Sequence, residues 1–185
     1  MQGAGVVPAG GGCLRLYLRN VATLPDPSDV YPAFRKTFET IGMAKVATSA
    51  EEARDLGFLR AQDTWSMNGD RRIADAKDLA LALARAGFEP RRPDQAIPVM
   101  GRAGFALADS VLFNMQEGRY ISEHDRKVGR ELARILSGGD VPGPTTVSAQ
   151  HLLDLEREAF LRLCGERKSL ERMQAILKTG KPLRN

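Results

Sequence analysis

Glycine-rich turns that open helices present backbone amides to anions, and residues 3–12 (Gly-Ala-Gly-Val-Val-Pro-Ala-Gly-Gly-Gly) form such a run. Its spacing excludes the two familiar nucleotide loops. Gly3-x-Gly5 begins a dinucleotide fingerprint, but Pro8 occupies the third glycine position and no strand precedes it. Gly5-x4-Gly10 begins a phosphate loop, but Gly11-Gly12 stands where Lys-Ser/Thr is required. What remains is tight turning ahead of a helix, with amides able to hold a water or an oxyanion.

The other chemistry-bearing residues do not assemble. His124 and His151 lack metal-ligand spacing. His124 follows the N-cap candidate Ser122 and reads as a surface residue of a first helical turn, and His151 lies in a similar place. Cys13 and Cys164 read as small core residues, and two cysteines provide no disulfide framework, which points to a reducing, cytoplasmic setting. Glu156, Arg157 and Glu158 read as a solvated helical face. Trp65, the one tryptophan, sits in a turn beside Asn68-Gly69-Asp70 and is expected to pack that loop against the core. Nucleophile, base and orienting group are not brought together, and no metal site is expected.

Charge narrows the partners. The 185 residues carry 27 Lys+Arg against 23 Asp+Glu, a net +4. That excess lies in Glu166 to Asn185, where six basic residues face two acidic ones. A nucleic-acid binder shows a wider basic face with aromatics interleaved, so no nucleic-acid partner is expected. The tail charge has two readings: helix C-terminal dipole neutralisation by Lys178 and Lys181, or attraction of phosphates. Charges interrupt every apolar stretch, which excludes a membrane span, and the first residues do not resemble a secretory signal.

Punctuation by glycine, proline and serine divides the chain into helices. Apolar spacing predicts helices over Cys13 to Asn20 and Val30 to Ile41, the latter with Val30, Phe34, Phe38 and Ile41 on one face. Ser49-Ala50-Glu51-Glu52 is a capping box opening a short helix that Gly57 stops. Phe58 to Asp63 is a candidate strand. Asp70 to Ala86 is the clearest helix, with Ile73, Ala76, Leu79, Ala80 and Leu83 as its apolar stripe. Glu89 to Pro98, rich in proline and charge, marks a boundary. Beyond it helices are expected over Ala103 to Glu117, Ser122 to Ser137, Ser148 to Cys164 and Ser169 to Thr179, with Ser122 and Ser169 as N-caps and no strands. The fold class is mainly α.

Two motifs and the closing segments carry a resemblance. Val7-Pro8-Ala9-Gly10-Gly11-Gly12-Cys13-Leu14-Arg15-Leu16 resembles the Ile-Pro-Gly-x-Gly-Gly-Thr-x-Arg-Leu stretch of the enoyl-CoA hydratase (crotonase) family. Ser49-Ala50-Glu51-Glu52-Ala53-Arg54-Asp55-Leu56-Gly57-Phe58 resembles that family's Ser-Ala-x-x-Ala-x-x-x-Gly-Leu helix. The closing segments Leu155 to Phe160, Glu171-Arg172-Met173 and Leu177 to Asn185 resemble the end of a bacterial subgroup of 3-hydroxyacyl-CoA dehydrogenases that carry a crotonase-like domain after the dehydrogenase.

The resemblance implies the last turn and C-terminal helices of a crotonase-like α/β fold in residues 1–88, a linker at 89–98 and an all-helical segment at 99–185. It implies a multifunctional fatty-acid β-oxidation protein that hydrates enoyl-CoA and oxidises 3-hydroxyacyl-CoA with NAD. The family's second catalytic glutamate falls seven residues before Pro8, on Met1, and its oxyanion amides and nucleotide fingerprint have no counterpart here. The isolated chain is therefore expected to be inactive, with no catalytic residue and no cofactor of its own. The Ala9 amide, with Gly10 and Gly11, would form a partial acyl-CoA site. Partners would be acyl-CoA, the dehydrogenase domains of the parent chain and further copies of itself. The other reading is a non-catalytic helical interaction or oligomerisation module. Either way, the helices at 13–20 and 30–41 are expected to expose apolar faces that lack a partner.

Overall fold

The computed structural model describes residues 3–89 and 96–185. Among those residues the protein is mainly helical, with 59% helix and 3% strand. The chain forms two compact units: Met1–Val46 with Asp94–Asn185, and Ala47–Pro93. Residues before Val46 therefore pack with the C-terminal helices. The later of the two crossings, between Pro93 and Asp94, falls within the expected linker at 89–98, whose residues 90–95 lie outside those described; the earlier one, between Val46 and Ala47, has no counterpart in the expected division.

The larger unit starts with α1 (Gly12–Val21) and α2 (Tyr31–Gly42). It resumes with α5 (Arg102–Glu117), α6 (Glu123–Leu136), α7 (Ala149–Cys164) and α8 (Arg167–Thr179). α1 packs on α2, α6 and α7, and α6 also packs on α5. Cys13, Leu14, Leu16 and Tyr17 are buried in that assembly, as are Ala33, Phe34 and Ile41 of α2. The expectation of apolar faces without a partner is corrected here, because the later helices supply one. Asn20 Nδ2 donates to Thr37 Oγ1 at 2.9 Å, and Thr37 donates onward to the Ala33 carbonyl. The α1–α2 seam thus satisfies its buried polar groups internally.

Two strands also appear where only helices were expected. β1 (Ile97–Val99) pairs antiparallel with β2 (Thr145–Val147), with Pro98 opposite Thr146. Three-residue strands are too short for an alternation signal, and Pro98 argues against one, so the sequence conceals them. Ile97 and Val99 are nonetheless buried, and the Pro98 carbonyl accepts a 2.8 Å hydrogen bond from the Tyr17 hydroxyl.

The smaller unit holds α3 (Ala50–Asp55), a 3-10 turn (Gly69–Arg71) and α4 (Arg72–Arg85). Ser49 accepts the Glu52 amide as expected, but Glu52 reaches back to the Thr48 amide at 2.6 Å, one residue earlier than a reciprocal box. Phe58 to Asp63 forms turns, not a strand. Asp63 closes one of them by accepting from the Arg60 amide and guanidinium. The Arg54 guanidinium lies 4.8 Å from the Trp65 ring centre, so Trp65 packs a loop of this unit while staying partly exposed. α4 is helical as predicted, but none of its residues is buried, and Ile73, Leu79 and Leu83 are exposed.

Candidate functional site

The glycine run ends on α1. Gly10 and Gly11 have φ of 70° and 88°, a left-handed pair that turns the chain into the helix. A Cβ on Gly12 would lie 2.7 Å from the Pro8 ring, so the turn is closed tightly on itself. Ala9 and Gly10 are exposed, while Gly11 is buried.

The amides that this turn presents are already engaged. α7 places the Glu156 carboxylate against them, with Oε1 accepting from the Cys13 amide at 3.2 Å. The Gly11, Gly12 and Leu14 amides also favour the ionised carboxylate, although only Cys13 reaches full hydrogen-bond geometry. Glu156 is 2% exposed, and its Oε2 has no hydrogen-bond partner among the described residues. Burial raises its carboxyl above the ordinary value, and the amides offset only part of that shift. The same burial, with Glu156 beside it, pushes the Cys13 thiol well up, which leaves it a packed thiol and not a thiolate nucleophile.

Glu156 was expected on a solvated face, and the structure corrects that reading. The buried residues of α7 are Leu152, Leu155, Glu156, Ala159 and Leu163. Glu156 stands on the apolar stripe at the spacing that defines the stripe. Reading its flanking charges Arg157 and Glu158 as a group hid that position.

A second polar cluster ties α6 and α8 to the N-terminal turn. His124 is 3% exposed, not a surface residue as expected, and its Nε2 lies 2.9 Å from Ser169 Oγ. Ser169 Oγ donates to the Gly5 carbonyl at 2.5 Å. A serine has one hydroxyl proton, and the carbonyl can only accept, so His124 must donate through Nε2–H. That assignment makes His124 no base toward Ser169. Ser169 is likewise not the N-cap expected of it: α8 begins at Arg167, with Glu166 in the cap position. Gly5, at φ 70°, leaves no room for a side chain. A Cβ would meet Arg172, Ser169 and His124 at 3.0 to 3.2 Å.

Beside it, Asp125 and Arg172 form a buried ion pair of 2.7 Å, each side chain 2% exposed. Burial alone would raise the Asp125 carboxyl, but the Ser122 amide and the Arg172 guanidinium outweigh it and hold the group below its usual value. Ser122 and Asp125 complete a reciprocal capping box, confirming Ser122 as the α6 N-cap. Arg172 also donates to the Asn185 side chain at 2.8 Å, and Asn185 donates to Glu171. Burial lowers the His124 value, aided by the nearby Arg172 and Lys168 charges, so its neutral form is favoured. His151 Nε2 lies 2.9 Å from the Gly138 carbonyl at the end of α6.

Among the described residues no group of His, Cys, Asp and Glu is placed to hold a metal ion. No described helix is long and apolar enough to cross a membrane. The sequence reading missed Glu156, Ser169, His124, Asp125 and Arg172 as buried partners. For His124 and Asp125 the signal was their helical register with Val128, Leu132 and Leu136 on the buried face of α6.

Comparison with known proteins gives one substantial likeness. The chain is 45% identical over 184 residues to a probable 3-hydroxyacyl-CoA dehydrogenase of Bacillus subtilis (strain 168). The match covers 100% of this chain and 23% of that protein, so the chain spans under a quarter of its relative's length. No family model and no solved structure matches.

Proposed function

We propose that this chain is a non-catalytic part of a fatty-acid β-oxidation protein with 3-hydroxyacyl-CoA dehydrogenase activity. In this reading it comprises the last turn and the following helices of a crotonase-like region, packs against the dehydrogenase domains and helps to form the acyl-CoA site. The observation that carries the proposal is the 45% identity extending through the full length of the chain.

The geometry supports a supporting role for the glycine turn. An oxyanion or pyrophosphate would need the α1 amides, and the Glu156 carboxylate is directed at them. The turn therefore does not fit the pyrophosphate of NAD, and the dinucleotide belongs to other parts of the parent protein. Ala9 and Gly10 remain exposed beside it as candidate contacts for acyl-CoA.

Replacing the matching segment of the Bacillus subtilis protein with this chain tests the proposal. The chimera is expected to keep NAD-dependent oxidation of 3-hydroxybutyryl-CoA, whereas deletion of the segment abolishes it. A folded chimera without that activity would sink the reading. The pure chain is expected to turn over neither crotonyl-CoA nor acetoacetyl-CoA with NADH, and measurable turnover of either overturns the non-catalytic assignment. The exposed Ile73, Leu79 and Leu83 stripe favours a second reading, a helical interaction module. Concentration-dependent self-association without any CoA binding would favour the module.

A further inference from the structure

A cleft of about 640 Å³ lies between α6 and the start of α8. Arg126, Lys127 and Arg130 line it from α6, and Arg167 and Lys168 line it from the first turn of α8. Glu123 and Glu166 are its only lining carboxylates among the described residues. Just outside, Asp109 is shared by two of the cations, 3.2 Å from Arg126 and 2.6 Å from Arg130. Lys127 meets Glu166 at 2.6 Å and Arg167 meets Glu171 at 3.0 Å. Among the described residues, no carboxylate lies within ion-pair distance of the exposed Lys168 side chain.

This arrangement runs against helix stability. The N-terminal end of a helix carries partial positive charge, and cations placed there are unfavourable. α8 nevertheless opens on Arg167 and Lys168, has no acidic residue in its first turn and has no side-chain cap. The Ser169 hydroxyl, which could have served as a cap, is directed inward to Gly5. A site that gathers cations where the backbone already repels them is suited to a multiply charged anion, which interacts favourably with both.

We infer that this cleft binds the phosphorylated end of CoA, the adenosine 3′,5′-bisphosphate group, an assignment that rests on the β-oxidation reading above. Its volume suits a nucleotide-sized ligand. Lys168 and Arg167 provide charge at the α8 amides, and Arg130 provides a planar fork from the facing helix. Lys127 exchanges Glu166 for phosphate, which makes binding moderate in strength and sensitive to salt. Neither Ala9 nor Gly10 contributes, so the cleft and the glycine turn are separable sites.

Calorimetric titration of the full 185-residue chain tests this, with CoA, dephospho-CoA, adenosine 3′,5′-bisphosphate and inorganic phosphate as ligands. Saturable binding of CoA and the bisphosphate is expected, with dephospho-CoA and phosphate each at least about tenfold weaker. The exposed pair Lys127→Ala/Lys168→Ala should lose at least about tenfold in CoA affinity, while Lys36→Ala on α2 changes nothing. Melting curves establish that the variants fold. Absence of bisphosphate binding, or unchanged affinity in the folded double variant, overturns the site. Phosphate binding as tight as CoA overturns CoA as the ligand. Bisphosphate binding alongside a folded chimera that lacks dehydrogenase activity would leave the cleft standing and reject the β-oxidation reading instead.

Discussion

The Glu156 carboxylate accepts a hydrogen bond from the Cys13 amide across 143 positions of sequence. It joins the middle of α7 to the first turn of α1, where a negative charge complements the helix dipole. A buried carboxylate with one oxygen unpartnered is nonetheless a costly way to cap a helix.

Two substitutions separate these effects. Glu156→Ala removes the acceptor and leaves a cavity, and it should cost about 2–4 kcal/mol in urea unfolding. Glu156→Gln keeps a carbonyl for the Cys13 amide and should cost less. Because the folded carboxyl is raised above 4.5, the folded state holds its proton more tightly than the unfolded chain. The stability contributed by the protonated group is present below about 4.5 and is lost as pH rises through the folded value. The Gln variant should therefore gain on the native protein as pH rises above that point, and a parallel pH dependence would contradict the assignment.

The Asp125–Arg172 pair predicts a larger penalty. Arg172→Met leaves Asp125 ionised and buried with only the Ser122 contacts, and should cost about 3–5 kcal/mol. Asp125→Asn in the same background should recover part of that loss, read as a positive coupling in a double-mutant cycle. Additive losses would show that the pair contributes no mutual interaction.

His124 provides a pH signature of the opposite sign. Its folded value lies below 6.5, so the unfolded state binds its proton first as the solution is acidified. Stability from the neutral imidazole is complete above about 6.5 and falls as pH drops below it. His124→Gln, which can still donate to Ser169, should flatten that part of the melting profile. NMR should find Nε2 protonated and Nδ1 bare at neutral pH.

Glycine positions differ in what they tolerate. Gly101 has φ 61°, and an added Cβ would lie 2.3 Å from the Gly143 carbonyl oxygen. Gly101→Ala should cost about 2 kcal/mol or more, because backbone must move. Gly10 has a similar φ of 70° but, among the described residues, nothing within 4 Å of the added atom. Gly10→Ala should cost only about 1 kcal/mol, from backbone conformation alone. Equal losses in thermal unfolding would contradict this distinction.

Helix boundaries were readable because glycine stops and serine caps act within a few residues. Ser122 and the periodic apolar positions of α6 and α7 placed those helices within a residue or two of their observed limits. The long-range polar partners were not readable in the same way. Ser169 satisfies the local rule for an N-cap, yet its hydroxyl serves Gly5, 164 positions away. The crossing between Val46 and Ala47 was hidden for a similar reason. Proline and charge mark the segment at 89–98, which contains the other crossing, but what unites residues before 46 with those after 96 is packing of α1 on α6 and α7. No local composition records that contact.

The distance between Cys13 and Glu156 also has a consequence during synthesis. At ribosomal speeds of about 5–20 residues per second, α1 emerges roughly 7–30 s before the carboxylate that completes its first turn. Through that interval its amides face water, and Leu14, Leu16 and Tyr17 have α2 and later α6 beside them but still lack α7. The nascent chain must therefore hold this segment uncommitted, which makes it a stretch for a chaperone to protect and for a pause in translation to endanger.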